Sequence, residues 1–232
     1  MEMKEEKNVY LFQDDNIKVV FTKRNIDAKN ISFLKENLTK YNFTVENLSY
    51  STQIHGVDVK VVDFVDDNLE EADGLVTNKD NIPLLIFTAD CVPLVFYDSK
   101  KRVIALAHAG WRGTYKNISK NILAIMIDKY NCNISNINVI IGPHIKKKNY
   151  EVSKDLIDKF SVLNIPNYYE VCKNKFYLDL ECINITMLER LGIKRNNIIN
   201  TNFCTVEDND KFYSYRQDNG TTSRIGTVIE LI

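Results

Sequence analysis

Few side chains in this chain combine softness with nucleophilic or metal-binding character. There are three histidines, His55, His108 and His144, and five cysteines, at positions 91, 132, 172, 182 and 204. Two of these residues share one stretch, Leu84–Thr114 (LLIFTADCVPLVFYDSKKRVIALAHAGWRGT), with Cys91 in the first of two apolar runs and His108 in the second. A thiolate beside an imidazole is a nucleophile pair. With His55 added, two imidazoles and a thiolate form a zinc set whose fourth position stays open to water or substrate. The separations, 91 − 55 = 36 and 108 − 91 = 17 residues, match no compact zinc motif. Spacing alone therefore leaves three readings side by side. They are a catalytic metal site, a Cys–His nucleophile, and a plain core in which Cys91 is a small hydrophobe and the histidines are satisfied structural groups.

Two arginines are candidate anion contacts. Arg112 falls in Gly110-Trp111-Arg112-Gly113 at an expected helix start, where backbone N–H groups and the helix dipole favour negative charge. Arg216 follows the aromatic cluster Phe212-Tyr213-Ser214-Tyr215, which could hold a planar ligand. Each has the ordinary alternative of a surface ion pair. Asp73 and Asp90 are the nearest carboxylates in sequence. Asp90 would point away from Cys91 on a regular strand, which suits an orienting or structural role. Lys146–Lys148 reads as a solvated turn, and His144 as either a site residue near a strand end or a loop histidine.

The elements that must position these groups follow from apolar spacing. The two runs of Leu84–Thr114 flank the polar turn DSKKR and read as neighbouring strands. Val9–Phe12 and Ile17–Phe21 suggest a hairpin, and Ile31, Leu34 and Leu38 a helix capped by Asn30. Alternation from Val57 through Val61 predicts a strand, with Gly56 a close backbone approach, and a link (DDNLEE) leads to a further turn and strand at 72–77. Thr114 is expected to cap a helix carrying Ile118, Ile122, Ile125 and Met126 and ending near Tyr130. A strand over Ile137–Ile141 stops at Gly142-Pro143, a helix runs from Asp179 to a stop at Gly192, and a last strand covers Ile225–Leu231. Strands and helices mix without strict βαβ alternation and no linker divides the chain. The expectation is one α+β domain over 1–232, with mixed sheets packed against flanking helices.

Bulk properties narrow the function classes. The net charge of −1 argues against a nucleic-acid partner. No apolar run reaches the ~18 residues a membrane helix needs. Met1–Asn8 (MEMKEEKN) carries no signal-peptide core, so the odd cysteine count, without a CxxC pair, reads as reduced thiols in a cytoplasmic protein.

Six segments, QIHGVDV (53–59), ADGLVT (72–77), TADCVPL (88–94), AHAGWRGT (107–114), IGPHI (141–145) and FYSYRQDNGTTSRIG (212–226), resemble in order and spacing the multicopper polyphenol oxidase (laccase), or YfiH-like, family. The resemblance runs from about Gln53 to the C-terminus. It implies a single α+β domain, and one zinc held by His55, Cys91 and His108, which are both metal ligands and catalytic residues. It further implies phosphorolysis of adenosine, inosine, guanosine and S-methyl-5′-thioadenosine, with adenosine deamination as a side activity. The expected partners are a purine nucleoside and phosphate, with Arg112 and Arg216 as substrate contacts and the chain acting as a monomer or homodimer. Copper is the second choice of metal. Three features depart from the family pattern. FTKRNIDAKNIS lacks the glycine-rich stretch and leaves Arg24 a weak contact candidate, His144 follows the Gly-Pro pair, and Gln217 replaces a second arginine.

Against this stand three alternatives. A true multicopper laccase needs about ten imidazoles, since histidine is the usual copper ligand, and the chain has three. A cysteine or zinc hydrolase, for example one that edits a cell-wall precursor amide, would use Cys91 as nucleophile. A binding module would leave residues 55, 91 and 108 in a closed apolar centre.

Overall fold

The computed structural model describes residues 2–65 and 69–232. The Asp66–Asn68 part of the link expected before Ala72 lies outside the described residues. The strands in chain order are β1 (Met3–Glu5), β2 (Val9–Gln13), β3 (Ile17–Thr22), β4 (Ser49–Tyr50), β5 (Val59–Val61), β6 (Gly74–Thr77), β7 (Leu84–Thr88) and β8 (Val92–Asp98). They continue with β9 (Val103–Ala109), β10 (Asn138–Ile141), β11 (Glu151–Val152), β12 (Tyr169–Cys172), β13 (Lys175–Leu178), β14 (Ile198–Asn200) and β15 (Ile225–Leu231). The α-helices are α1 (Ile31–Thr39), α2 (Trp111–Tyr115), α3 (Ile118–Asp128), α4 (Lys154–Phe160) and α5 (Leu180–Arg190).

Two mixed sheets carry the fold, ordered β1-β2-β3-β15-β7-β4 and β14-β10-β8-β9-β6-β5, and a small third sheet runs β11-β13-β12. Period-two alternation divides each central strand between two cores. On β7, Leu84 and Ile86 face the second sheet, while Leu85 and Phe87 face α1 with Leu34 and Leu38. On β8 and β9, Val95, Tyr97, Ile104 and Leu106 face the first sheet, while Leu94, Phe96, Ala105 and Ala107 pack on α3 and α5. Strands buried on both faces read in sequence as unbroken apolar runs, which is why their alternation was hidden. Gly142 marks a close approach between the sheets, because a Cβ there would lie 2.2 Å from Phe21 Cε1.

Three local expectations are corrected. The first apolar run is two strands, not one. β7 belongs to the first sheet and β8 to the second, so Cys91 occupies the link between them and not a strand. Asp90, at φ +90°, turns the chain there. Thr114 does not cap α3. It is buried within α2, where its hydroxyl contacts Ala109 O (3.3 Å) and accepts from Asn184 Nδ2 (3.0 Å). Asn117 takes the capping role, since asparagine tolerates φ +60° and its side chain accepts from Lys120 N. The strand expected from Val57 begins at Val59.

Candidate metal centre and its cleft

Asp73, immediately before β6, organises the site. Its carboxylate accepts from three successive amides, Ile54 N (3.1 Å), His55 N (3.0 Å) and Gly56 N (2.6 Å), which fixes a turn in which His55 adopts φ +59°. Oδ1 also meets His108 Nδ1 at 2.7 Å, and Asp73 O accepts from His108 N at 2.8 Å. A carboxylate beside Nδ1 holds a ring proton there and leaves Nε2 as the ring atom a cation would take. His108 lies at the end of β9 on the same face as Ile104 and Leu106, towards the first sheet. Cys91 arrives from the β7–β8 link. The donor atoms of His55, Cys91 and His108 all lie within 4.8 Å of one another, and the two imidazoles meet edge to face at 4.7 Å.

Electrostatics suit this set to a cation. Burial pushes the Cys91 thiol up, but His108 and His55 outweigh it and bring it down to about 6. Burial pulls His108 down, yet Cys91 and Asp73 lift it to about 9. Burial likewise raises Asp73, and the bonds from His108 and the turn amides more than offset that and hold it below its usual range. Two anionic groups thus flank one imidazole, an arrangement a bound cation would neutralise. Gly110 keeps the approach clear, since a Cβ there would lie 3.0 Å from Cys91 Sγ and 3.1 Å from His55 Cδ2. His108 is buried, Cys91 partly so, and His55 exposed, leaving the cluster open on one side.

That side is a cleft of about 770 Å3, within the range of small-molecule sites. Its wall includes the aromatic rings of Tyr50, Phe87, Trp111, Tyr150 and Tyr215. Arg216 lines it as well. Its backbone N donates to Asp90 Oδ2 (2.7 Å), Nη2 donates to Glu151 O (3.0 Å), and the guanidinium lies over Tyr150.

Arg112 does not line the cleft. The start of α2 directs it onto the Trp111 ring, 4.3 Å from the centroid. Arg24 is also outside the cleft lining, paired in bidentate fashion with Asp218 at 2.7 and 3.0 Å. His144 is fully buried, and its ring nitrogens meet Gly142 O (2.7 Å) and Glu181 Oε2 (3.0 Å), away from the His55–Cys91–His108 group.

Several lining residues carried no signal in the sequence. Gln53 clamps Phe87 by donating from Nε2 to its O and accepting from its N (2.8 and 2.7 Å). Lys29, Tyr150 and Arg224 arrive from segments far apart in the chain. Gln53 and Arg224 fall within the QIHGVDV and FYSYRQDNGTTSRIG segments, but nothing in their spacing marks a role.

An α+β protein whose two sheets hold a His–Cys–His cluster at the floor of an aromatic cleft is the class this geometry defines. The family model described as multi-copper polyphenol oxidoreductase laccase matches residues 20–232, and the chain belongs to that family. Among curated proteins it is similar to a purine nucleoside phosphorylase of Staphylococcus aureus, YlmD, at 37% identity over 71% of this chain and 62% of that protein. A purine nucleoside phosphorylase of Staphylococcus saprophyticus matches with the same identity and coverage. The chain thus spans about 62% of the length of these curated relatives. Among solved structures, Bacillus licheniformis YfiH superposes with TM-score 0.90 at 25% identity, covering 99% of each chain. Geobacillus stearothermophilus YlmD superposes with TM-score 0.89 at 23% identity over 98% and 97%. These neighbours share the expected α+β architecture of mixed sheets and flanking helices. Among the described residues, no helix is long and apolar enough to cross a membrane.

Proposed function

We propose that the chain is a zinc-dependent purine nucleoside phosphorylase in which His55, Cys91 and His108 hold the metal. The observation that carries this reading is the convergence of those three donors, oriented by Asp73, on the floor of an aromatic cleft. A donor set of two imidazole nitrogens and one sulfur, with one open side, fits zinc in a catalytic role, and three histidines in the chain fall short of a multicopper cluster. Bound zinc would supply Lewis acidity to an oxygen nucleophile. The protein's own groups do the rest. Asp73 keeps the His108 proton on Nδ1, and the cleft rings stack on a purine and exclude water from it. Arg216 places positive charge where negative charge collects as the glycosidic bond breaks. The Tyr150 hydroxyl, on the same cleft wall, is available as a hydrogen-bond donor to the bound base. Adenosine, inosine, guanosine and S-methyl-5′-thioadenosine are the substrates of this reading, and adenosine deamination is a side reaction of the same site.

The lowered Cys91 thiol favours one second reading, a thiolate–imidazolium nucleophile in a hydrolase. One experiment separates the two. Release of hypoxanthine from inosine and phosphate is followed with and without chelator, alongside metal analysis of the wild type and His108→Ala. Metal and phosphorolysis should disappear together in the variant. Turnover that persists in metal-free protein overturns the zinc reading, and a covalent adduct at Cys91 with an alkylating substrate analogue supports the nucleophile.

A further inference from the structure

Apart from the donor set, the cleft is cationic. Lys29, Arg216 and Arg224 line it against one carboxylate, Asp90. Both Asp90 oxygens are engaged, Oδ1 by the Thr205 hydroxyl (2.6 Å) and Oδ2 by Arg216 N (2.7 Å). The chain as a whole carries a net charge of −1, so these cations are not part of a generally basic surface.

Lys29 and Arg224 are built into fixed positions. One oxygen, Asp27 Oδ1, accepts from both Lys29 N (3.0 Å) and Arg224 N (3.0 Å), and Ala28 N donates to Arg224 O (2.9 Å). The Lys29 ammonium lies over the Phe87 ring, 4.0 Å from its centre, and among the described residues it has no hydrogen bond or ion pair. Arg224 uses Nη1 on the carbonyls of Thr221 (2.7 Å) and Ser223 (2.8 Å); among the described residues Nη2 and Nε have no acceptor. Partial loss of water beside the Phe87 ring and the charge of Arg224 lower the Lys29 pKa, and Asp27 only partly offsets them. Two like charges held together without an acceptor are stabilised by an anion between them. The Phe87 ring under Lys29 begins the stretch that ends at Cys91. Its 91 − 87 = 4 residue steps span at most ~14 Å, and both ends line the same cleft as the metal-ligand candidates.

We propose that Lys29 and Arg224, with Arg216 on the same wall, form an anion subsite that takes a phosphate group, either inorganic phosphate or the phosphate of a 5′-phosphorylated nucleoside. This rests on the phosphorylase reading for its meaning, but not for its test. Lys29 is exposed, so Lys29→Gln should fold normally; Arg224→Gln is the second variant, and melting curves check both. Calorimetric titration of the metal-loaded protein with inorganic phosphate, and separately with inosine 5′-monophosphate, should show binding weakened roughly tenfold per lost cation, the effect of one charge-assisted hydrogen bond. In steady-state assays the phosphate KM should rise by the same factor while the inosine KM does not, a split that a general loss of structure would not give. Loss confined to inosine 5′-monophosphate assigns the subsite to a phosphate ester, and loss with inorganic phosphate assigns it to the co-substrate. Wild-type affinity for both ligands in both variants overturns the subsite, as does a wild type that binds neither. Phosphate binding that depends on Lys29 without any phosphorolysis keeps the subsite and removes the phosphorylase reading. Phosphorolysis with an unchanged phosphate KM, together with wild-type affinity for inosine 5′-monophosphate in both variants, does the reverse.

Discussion

Asp73 is fully buried, and its carboxylate accepts from four N–H groups, those of Ile54, His55 and Gly56 and the Nδ1–H of His108. It therefore sets the backbone of one metal-ligand candidate and the ring of another. A left-handed conformation at a non-glycine residue such as His55 costs ~1–2 kcal/mol, and the turn amides bonded to Asp73 offset it. Asp73→Asn keeps the volume and one acceptor oxygen but turns an NH2 against N–H donors. Metal affinity, measured by competition with a chromophoric chelator, should fall by about 10- to 100-fold, the usual effect of losing the group that orients a ligating histidine. Unchanged affinity would show that Asp73 serves the fold alone. The sequence named Asp73 and Asp90 as the nearest carboxylates and gave an orienting or structural role to Asp90. In the structure it is Asp73 that orients the candidate ligands, while Asp90 turns to Thr205 and Arg216, residues over a hundred positions away.

Glu181, in the first turn of α5, ties that helix to the loop after β10. His144 Nε2 meets its Oε2 at 3.0 Å, and Lys146 Nζ bonds the same oxygen. Burial raises its pKa, but His144 and Lys146 outweigh that and hold the carboxyl far below its ordinary 4.5. A folded-state pKa depressed in this way contributes stability above pH 4.5, and the contribution is lost as pH falls below that value. Glu181 is partly exposed, so solvent screens the pair. Glu181→Gln should cost about 1 kcal/mol at pH 7, with the gap to wild type narrowing steadily as pH falls below 4.5 in urea denaturation. A gap that stays constant from pH 7 to 3 would assign the loss to packing. The helix itself was legible, since Asp179 caps it (Oδ1 accepts from Cys182 N at 2.9 Å) and Leu180, Ile183, Met187 and Leu188 recur on one buried face. The tie to His144 was not, because 181 − 144 = 37 residues separate the partners. For the same reason the β7–β8 boundary was hidden: Thr88-Ala89-Asp90-Cys91 reads as a continuation of an apolar run, and only the pairing of β7 with β15 and of β8 with β10 shows the change of sheet.

The candidate centre lies where the chain changes sheets. The β4–β5 connection leaves the first sheet for the second and carries His55; the β7–β8 link makes the same crossing and carries Cys91. The long β14–β15 connection returns to the first sheet and carries Arg216, while His108 ends β9 in the second sheet. A cation held by His55, Cys91 and His108 would therefore join two crossings to the end of a central strand and act as a staple between the two halves of the sandwich. Metal at about a thousand times its Kd adds ~4 kcal/mol to a fold that binds it only when native. In a chain of this size each kcal/mol moves Tm by roughly 2–4 °C. Chelation of the metal-loaded protein should thus lower Tm by about 8–16 °C. Trp111, the single tryptophan, lines the cleft and reports on the site, while far-UV circular dichroism reports on both sheets. If the centre staples the sandwich, the two signals shift together on chelation, and Cys91→Ala melts at the chelated temperature with or without metal. A Trp111 signal that moves while the far-UV transition stays in place would mean that the metal orders only the mouth of the cleft, with the sandwich held by its apolar cores alone.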